Sequence, residues 1–542
     1  MDKKFFLYAV LGIVLFALWN AWQIDYNKKT DNTVISKVAL VSNTETDKSL
    51  ATITEKDILP NKAPQNRIIK ITTDVLNVSI DKLGGNIVSA SLIKYPEELH
   101  SSNPITILSD NPDDFYVVQG GILSDKEKQD KQEIYTASKN SYNLKPGDDK
   151  LEVTLSSMNN GVVVNKKFIF MRQKYNVAID YEIVNKTGSA WDGVFYNQIV
   201  RKNIATKSGM FHPNTYDGAA ISSPETPYEK VSYANMSKSN LDRQANDGWV
   251  GMQQRYFLSA LIPEKGVSYN YYTKANNDDQ LYTIGFKRNK LNLAAGEKIN
   301  LGTTLYVGPE ISENLKPLAN GLDHTVDYGW LWIISIALLW IMKKIHFVIG
   351  NWGWSIILLT ILIKLVFYKL SEKSCLSMAR MKELAPKIQA LKERYGDDKQ
   401  KLSQATMEIY KKEKVNPFGG CLPMLVQIPF FIALYYVLVG AVELRQAPFI
   451  LWIHDLSIKD PYYILPILMG LAAFAQQKLS PPASPDPAQA KMMMLMPVMF
   501  TVFFLSFPAG LVLYWMTNNC LQVLQQWYIN RKLEHCVAAR KR

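Results

Sequence analysis

Apolar positions along this chain obey two periods, and the change from one to the other divides it. From residue 67 to about 308 they alternate. Leu76, Val78 and Ile80 are separated by Asn77 and Ser79, and Leu151, Val153 and Leu155 by Glu152 and Thr154. Val177, Ile179, Tyr181 and Ile183 continue the pattern, and Leu301, Thr303, Leu305 and Val307 close it. Side chains of a strand point alternately to its two faces. Such runs, punctuated by Gly, Asn and Asp, therefore predict an antiparallel β-sandwich. Residues 310–322 predict a short terminal helix, which places the β domain at 67–322.

Elsewhere the apolar runs have helical length. Residues 5–22 follow Lys3 and Lys4. They read as a cleaved signal peptide or as an uncleaved anchor over 1–22. The sites for cleavage carry Trp19 where a small residue is wanted, which favours the anchor. Residues 23–66 are polar and aperiodic, a tether. Tyr328 to Met342 is short for a crossing, carries Trp330, Trp332 and Trp340, and ends at Lys343 and Lys344. It predicts a helix at 328–345 lying along the outer membrane surface. Runs at 352–370, 418–440, 461–478, 492–508 and 511–529 predict five crossings, the last two joined by a tight turn at Pro508, Ala509 and Gly510. The predicted fold class is a multi-domain membrane protein. It combines a bundle of six transmembrane helices, five of them in a core at 352–529, with an all-β domain between the first two crossings.

Charge sets the orientation. The net charge is +12, unevenly spread. The loop 371–416 carries eleven Lys/Arg against seven Asp/Glu and the tail 530–542 five against one, whereas 441–460 carries two against three. Positive-inside logic puts the first two in the cytosol and the third outside, so both termini are cytosolic and the β domain is exported. Within 371–416, Met378, Met381, Leu384, Ile388 and Leu391 recur at helical spacing, Tyr395 to Asp398 make a turn, and Leu402, Thr406, Ile409 and Tyr410 recur again before Asn416 and Pro417. This basic hairpin is either a solvated connector or a docking surface for an incoming chain or the ribosome.

One residue breaks the apolar pattern. Lys364 lies in the run 352–370, about three residues past its middle or ~4.5 Å off centre at helical rise. An ammonium there costs roughly 2.5–3.5 kcal/mol on insertion scales. No Asp or Glu lies in any predicted crossing to pair with it. Thr360 precedes it by one helical turn on the same face. On the last crossing Tyr514, Asn518, Gln522 and Gln525 form one stripe, widened by Asn519 and Gln526, and Gln427 adds an amide to the crossing 418–440. Singly, such amides are often interhelical glue. Together with an unpaired lysine they point to a wet cavity, open to the cytosol and to lipid. Met492, Met493, Met494, Met496 and Met499 open the next-to-last crossing. They are ordinary membrane core or an adaptable surface for varied apolar partners.

Composition excludes other classes. Cys375, Cys421, Cys520 and Cys536 match no zinc or redox spacing, and six scattered histidines supply no ligand set, so no metal or cofactor is predicted. No phosphate-binding loop, nucleophile elbow or HExxH is present, which disfavours an enzyme. Basic clusters are not interleaved with aromatics, which disfavours nucleic acid as a ligand. A small-solute transporter sharing the wet cavity would need inverted repeats and broken half-helices.

The runs YGDDKQKL (395–402), KVNPFGGCLPMLVQIPFFIALYYVLV (414–439), ELRQAPFILWIHDLSIKDPYYILPILMGL (443–471) and FTVFFLSFPAGLVLYWM (500–516) resemble the YidC/Oxa/Alb family of membrane insertases. GWVGMQQRYFLSALIP (248–263) and LYVGPE (305–310) resemble the exported domain of its Gram-negative members. The resemblance implies a β-supersandwich outside and an insertase core inside, acting in the bacterial inner membrane. It implies nascent membrane proteins, the ribosome, the lipid bilayer and the Sec translocon (SecYEG with SecDF) as partners, with insertion and folding as the activity. Lys364 stands where the family usually has Arg, which keeps the charge but loses the planar fork. Thr360 and Tyr514 match the family's substrate-contacting positions, and Trp515 meets its second groove aromatic. A hydrophobic segment would slide along the spans containing Phe430, Leu434, Met496 and Phe503.

Overall fold

The computed structural model describes residues 62–124, 133–204, 216–396, 398–413, 422–479 and 487–540. The expected anchor at 5–22, most of the tether, and the stop at Asn416 and Pro417 lie outside them.

Each alternating run is a strand with its apolar face buried. Leu76, Val78 and Ile80 lie in the strand Leu76–Asp81, and Val177, Ile179, Tyr181 and Ile183 in Asn176–Asn185. Two sheets result. The ten-stranded one runs Asp242–Asn246, Ser268–Asn276, Leu281–Leu293, Trp191–Lys202, Tyr116–Ser124, Asn86–Pro96, Leu76–Asp81, Ile68–Thr72, Ser141–Asn143, with Pro104–Leu108 paired to Asn86–Pro96 off that path. The nine-stranded one runs Glu229–Val231, Gly218–Ile221, Val250–Gln254, Phe257–Pro263, Lys298–Pro309, Asn176–Asn185, Val162–Met171, Lys150–Asn159, Thr136–Ala137. The inward faces of both enclose one core, including Ile80, Phe168, Tyr181 and Phe286. Pairing is antiparallel except where Ile68–Thr72 meets Ser141–Asn143. Short helices α1 (Tyr233–Lys238) and α2 (Ser312–Leu315) flank the sheets.

Lys166 and Glu310 are among the ionisable groups buried in this domain. Lys166 is 2% exposed and donates to the carbonyls of Gly85 at 2.6 Å and Gly120 at 3.0 Å, and burial pushes its ammonium down to about 7. Glu310, at the end of the last strand, accepts from Gln253 Nε2 at 2.9 Å, and burial holds its carboxyl well above the usual carboxylate range.

The helical part comprises α3 (Trp332–Ile349), α4 (Trp352–Val366), α5 (Tyr368–Tyr395), α6 (Lys399–Lys412), α7 (Leu422–Gly440), α8 (Ile464–Leu479), α9 (Pro487–Phe504) and α10 (Ala509–Arg540). Two boundaries differ from the sequence reading. Lys343 and Lys344 do not end α3: Lys343 pairs with Glu313 at 2.9 Å and Glu443 at 2.8 Å, and the helix runs on to a left-handed Gly350 at φ 73°. With 18 residues and mean hydropathy 1.8, α3 is, among the described residues, the one single helix long and apolar enough to cross a membrane. The run 352–370 is not one straight helix. It breaks at Phe367, and α5 leaves α4 at 68°.

The α5–α6 hairpin is held by Leu384 and Ile388 against Met381, Ile409 and Tyr410, with the Asp398 side chain capping α6. At the other end of the bundle the loop 441–463 threads between the helices. Its Ile458 and Leu456 carbonyls accept from Ala509 N at 2.7 Å and Gly510 N at 2.9 Å, so the α9–α10 turn is hydrogen-bonded into it. The same loop meets the β domain: Arg445 Nη2 donates to the Glu97 carbonyl at 2.9 Å, and Val442 is buried within the β-domain core.

Candidate functional site

Lys364 is placed by the bend. The Asn351 side chain caps α4 by accepting from Trp354 N at 3.1 Å, while its amide holds the Pro448 and Phe449 carbonyls of the outer loop. With α4 starting there, Lys364 falls in its last turn, where a cation also meets the negative end of the helix dipole. The elbow at Phe367 then folds the first turns of α5 back beside it.

Lys364 is 9% exposed, and among the described residues no carboxylate pairs with it. Its Nζ donates to Gln522 Oε1 at 2.7 Å. Gln522 Nε2 donates to Cys375 Sγ at 3.4 Å, and Ser371 Oγ donates to Gln525 Oε1 at 2.7 Å. The stripe predicted on the last helix therefore forms, but it divides. Gln522 and Gln525 face α4 and α5, whereas Asn518 Nδ2 donates to Gln427 Oε1 on α7 at 2.9 Å. Asn519 Nδ2 and Gln526 Oε1 are buried without a partner. In an apolar surround such atoms are costly unless water or a ligand reaches them.

The remaining expected residues sit differently. Thr360 is fully buried and spends its hydroxyl on the Ile356 carbonyl one turn back, at 2.7 Å. Tyr514 is buried in the bundle core beside Phe431, and Trp515 stands edge-on to Phe431 with centroids 5.0 Å apart and also packs on Phe504. Leu434 is fully buried in the same core, so it offers no face to a passing segment. Several helices keep exposed apolar residues; α9, the span of Met496 and Phe503, presents Met494, Val498, Met499, Val502 and Phe503.

Sequence reading missed Ser371 and Cys375, which fall just past the expected end of the crossing. Spacing from Lys364 gave no signal for them, because the break at Phe367 interrupts the helical period; it is the 68° bend that brings both residues to Gln522 and Gln525.

Residues 344–536 match the family described as 60Kd inner membrane protein, and residues 68–341 match the YidC periplasmic domain. The chain is 50% identical over 553 residues to the membrane protein insertase YidC of Coxiella burnetii (strain Dugway 5J108-111), across 98% of this chain and 97% of that one. This chain belongs to the YidC family. The YidC of Legionella pneumophila (strain Corby) is 46% identical over 552 residues, across 99% and 98% of the two chains. Among solved structures, an active YidC insertase with its first transmembrane domain resolved aligns over 86% of this chain and 93% of its own, at 18% identity and a TM-score of 0.40. The two family matches meet inside α3, between residues 341 and 344.

Proposed function

We propose that this chain inserts nascent integral membrane proteins into the inner membrane and assists their folding, through a hydrophilic groove built around Lys364. The observation that carries this reading is the polar cluster of α4, α5, α7 and α10, set in helices otherwise lined by apolar residues and holding a lysine with no acidic partner among the described residues. Six crossings put both termini in the cytosol and the β domain in the periplasm, with α3 along the outer surface. A chain with a hydrophobic segment and a short polar tail arrives at the basic α5–α6 hairpin, presented by the ribosome or handed on by the Sec translocon. The tail enters the groove, where Lys364 attracts its acidic residues and Gln427, Asn518 and Gln522 supply hydrogen bonds. Thr360, Tyr514 and Trp515 shape the wall. This lowers the cost of taking polar backbone partway across the bilayer. The hydrophobic segment moves along the α9 face into lipid, driven by burial of its apolar surface and, for acidic tails, by the membrane potential. No cofactor, metal or nucleotide enters this scheme, and no covalent bond is made or broken.

The test is solvent access at position 364. In a variant stripped of its native cysteines and carrying Lys364→Cys, a membrane-impermeant maleimide added to inverted vesicles reacts, and a bound nascent chain blocks the reaction. A site that stays unlabelled in inverted vesicles, while an exposed hairpin cysteine labels fully, defeats the groove.

A further inference from the structure

Lys364 does not hold its charge free. It donates to Gln522 Oε1 at 2.7 Å, and that same oxygen lies 3.4 Å from Ser371 Oγ. Ser371 gives its proton instead to Gln525 Oε1 at 2.7 Å. Gln522 and Gln525 are three residues apart on α10, one above the other on the helix surface. Gln522 is buried and Gln525 half-buried. One hydroxyl thus stands between two acceptors and takes the more exposed, because the lysine holds the buried one.

We propose that Gln522 is a placeholder for the carboxylate of an incoming polar tail, and that Ser371 is a positioning residue that responds when Gln522 is released. This rests on the groove reading and names the regulation of that site. A carboxylate is the stronger acceptor for an ammonium. When it takes Lys364, Gln522 Oε1 is left buried without a donor, a worse position than that of Gln525, which water can reach. Ser371 turns from Gln525 to Gln522. No proton is transferred; one hydrogen bond changes acceptor. The first turn of α5 follows the hydroxyl along α10 away from the elbow, where Gln525 Nε2 donates to the Tyr368 carbonyl at 3.5 Å, while Gln522 Nε2 keeps its hold on Cys375 one turn further on. Because α5 continues into the cytosolic hairpin, occupancy of the groove is transmitted to the element that receives the next chain.

The experiment uses the full-length protein in nanodiscs and a synthetic peptide with one apolar helix, an acidic tail and a photoreactive group in that tail. A matched peptide carries Asn and Gln in place of the tail's Asp and Glu. Crosslinks mapped to α4 or α10 report seating, and amide hydrogen exchange at 371–375 reports the start of α5. The acidic peptide slows that exchange roughly fivefold, the worth of one hydrogen bond moved to a buried acceptor, and the neutral peptide does not. Ser371→Ala abolishes the slowing while crosslinking persists, and Ser371→Thr restores it. Seating without slowing, or equal slowing in Ser371→Ala, overturns the placeholder and leaves the groove intact. Absence of crosslinks to α4 and α10 overturns the groove itself, and the placeholder with it.

Discussion

Two buried lysines do opposite work in this molecule. Lys364 donates to one side-chain amide of a neighbouring helix, whereas Lys166 is fixed by two carbonyls in a closed core. For Lys364 the charge matters more than its shape, since its partner is a single amide oxygen. Lys364→Arg is therefore expected to support insertion at near wild-type yield. Lys364→Glu lowers insertion of substrates with acidic tails at least tenfold and of neutral-tailed ones much less, in a proteoliposome protease-protection assay. Equal yields across the three proteins would count against the groove. Lys166 makes a prediction about pH. Its ordinary value of 10.5 falls to about 7 in the folded domain through burial. Between those values the unfolded chain holds the extra proton, so this group's contribution to stability rises with pH, by about 1.4 kcal/mol per unit. Its destabilising effect is greatest below about pH 7. Lys166→Met removes the dependence. The stability difference between the variant and the wild type should then shift by roughly 2–3 kcal/mol in favour of the wild type from pH 7 to pH 9. Lost hydrogen bonds change both ends equally, so a pH-independent difference in chemical denaturation would refute the assignment.

At the level of elements, close approach between helices depends on small residues. A Cβ on Gly470 of α8 would lie 2.1 Å from Thr501 Oγ1 of α9, and one on Gly353 of α4 would lie 2.0 Å from the Phe449 ring. Gly470→Leu should part α8 from α9 at a cost of roughly 1–3 kcal/mol. The measurement is the thermal midpoint of the detergent-solubilised protein, which falls, together with greater maleimide access to a cysteine at position 501. Element by element, the β strands were the most legible part of the sequence, because alternation on a half-buried sheet leaves a period-two record. The helices were legible as apolar runs, but their ends were not. Lys343 looked like a stop because a sequence does not reveal that Glu313 and Glu443 converge on it. The break at Phe367 carries no proline or glycine to announce it. The polar stripe of α10 was legible from its spacing alone. Its division between α7 and the α4–α5 elbow was not, because that depends on where neighbouring helices lie.

Across the whole molecule, the β domain and the helical core share contacts at the outer loop. Arg445 reaches the Glu97 carbonyl, and His100 and His454 meet edge to face with centroids 5.5 Å apart. The groove residues all belong to the other module. Deleting 67–308 should therefore leave insertion largely intact while lowering the thermal midpoint of the helical core, since the Arg445 and Val442 contacts are lost. Insertion assays in vesicles and thermal unfolding of the same preparation check both halves. Loss of insertion without loss of stability would give the β domain a direct role.

Val442 has a consequence for biogenesis. It belongs to the loop between membrane helices yet is buried in the hydrophobic cluster of the β domain and its terminal segment, about 130 residues after the last strand ends at Pro309. As the ribosome releases the chain, every strand is made long before this valine. The periplasmic domain thus waits for a late-arriving plug, and it reaches its final packing only after the membrane half has begun to assemble around it.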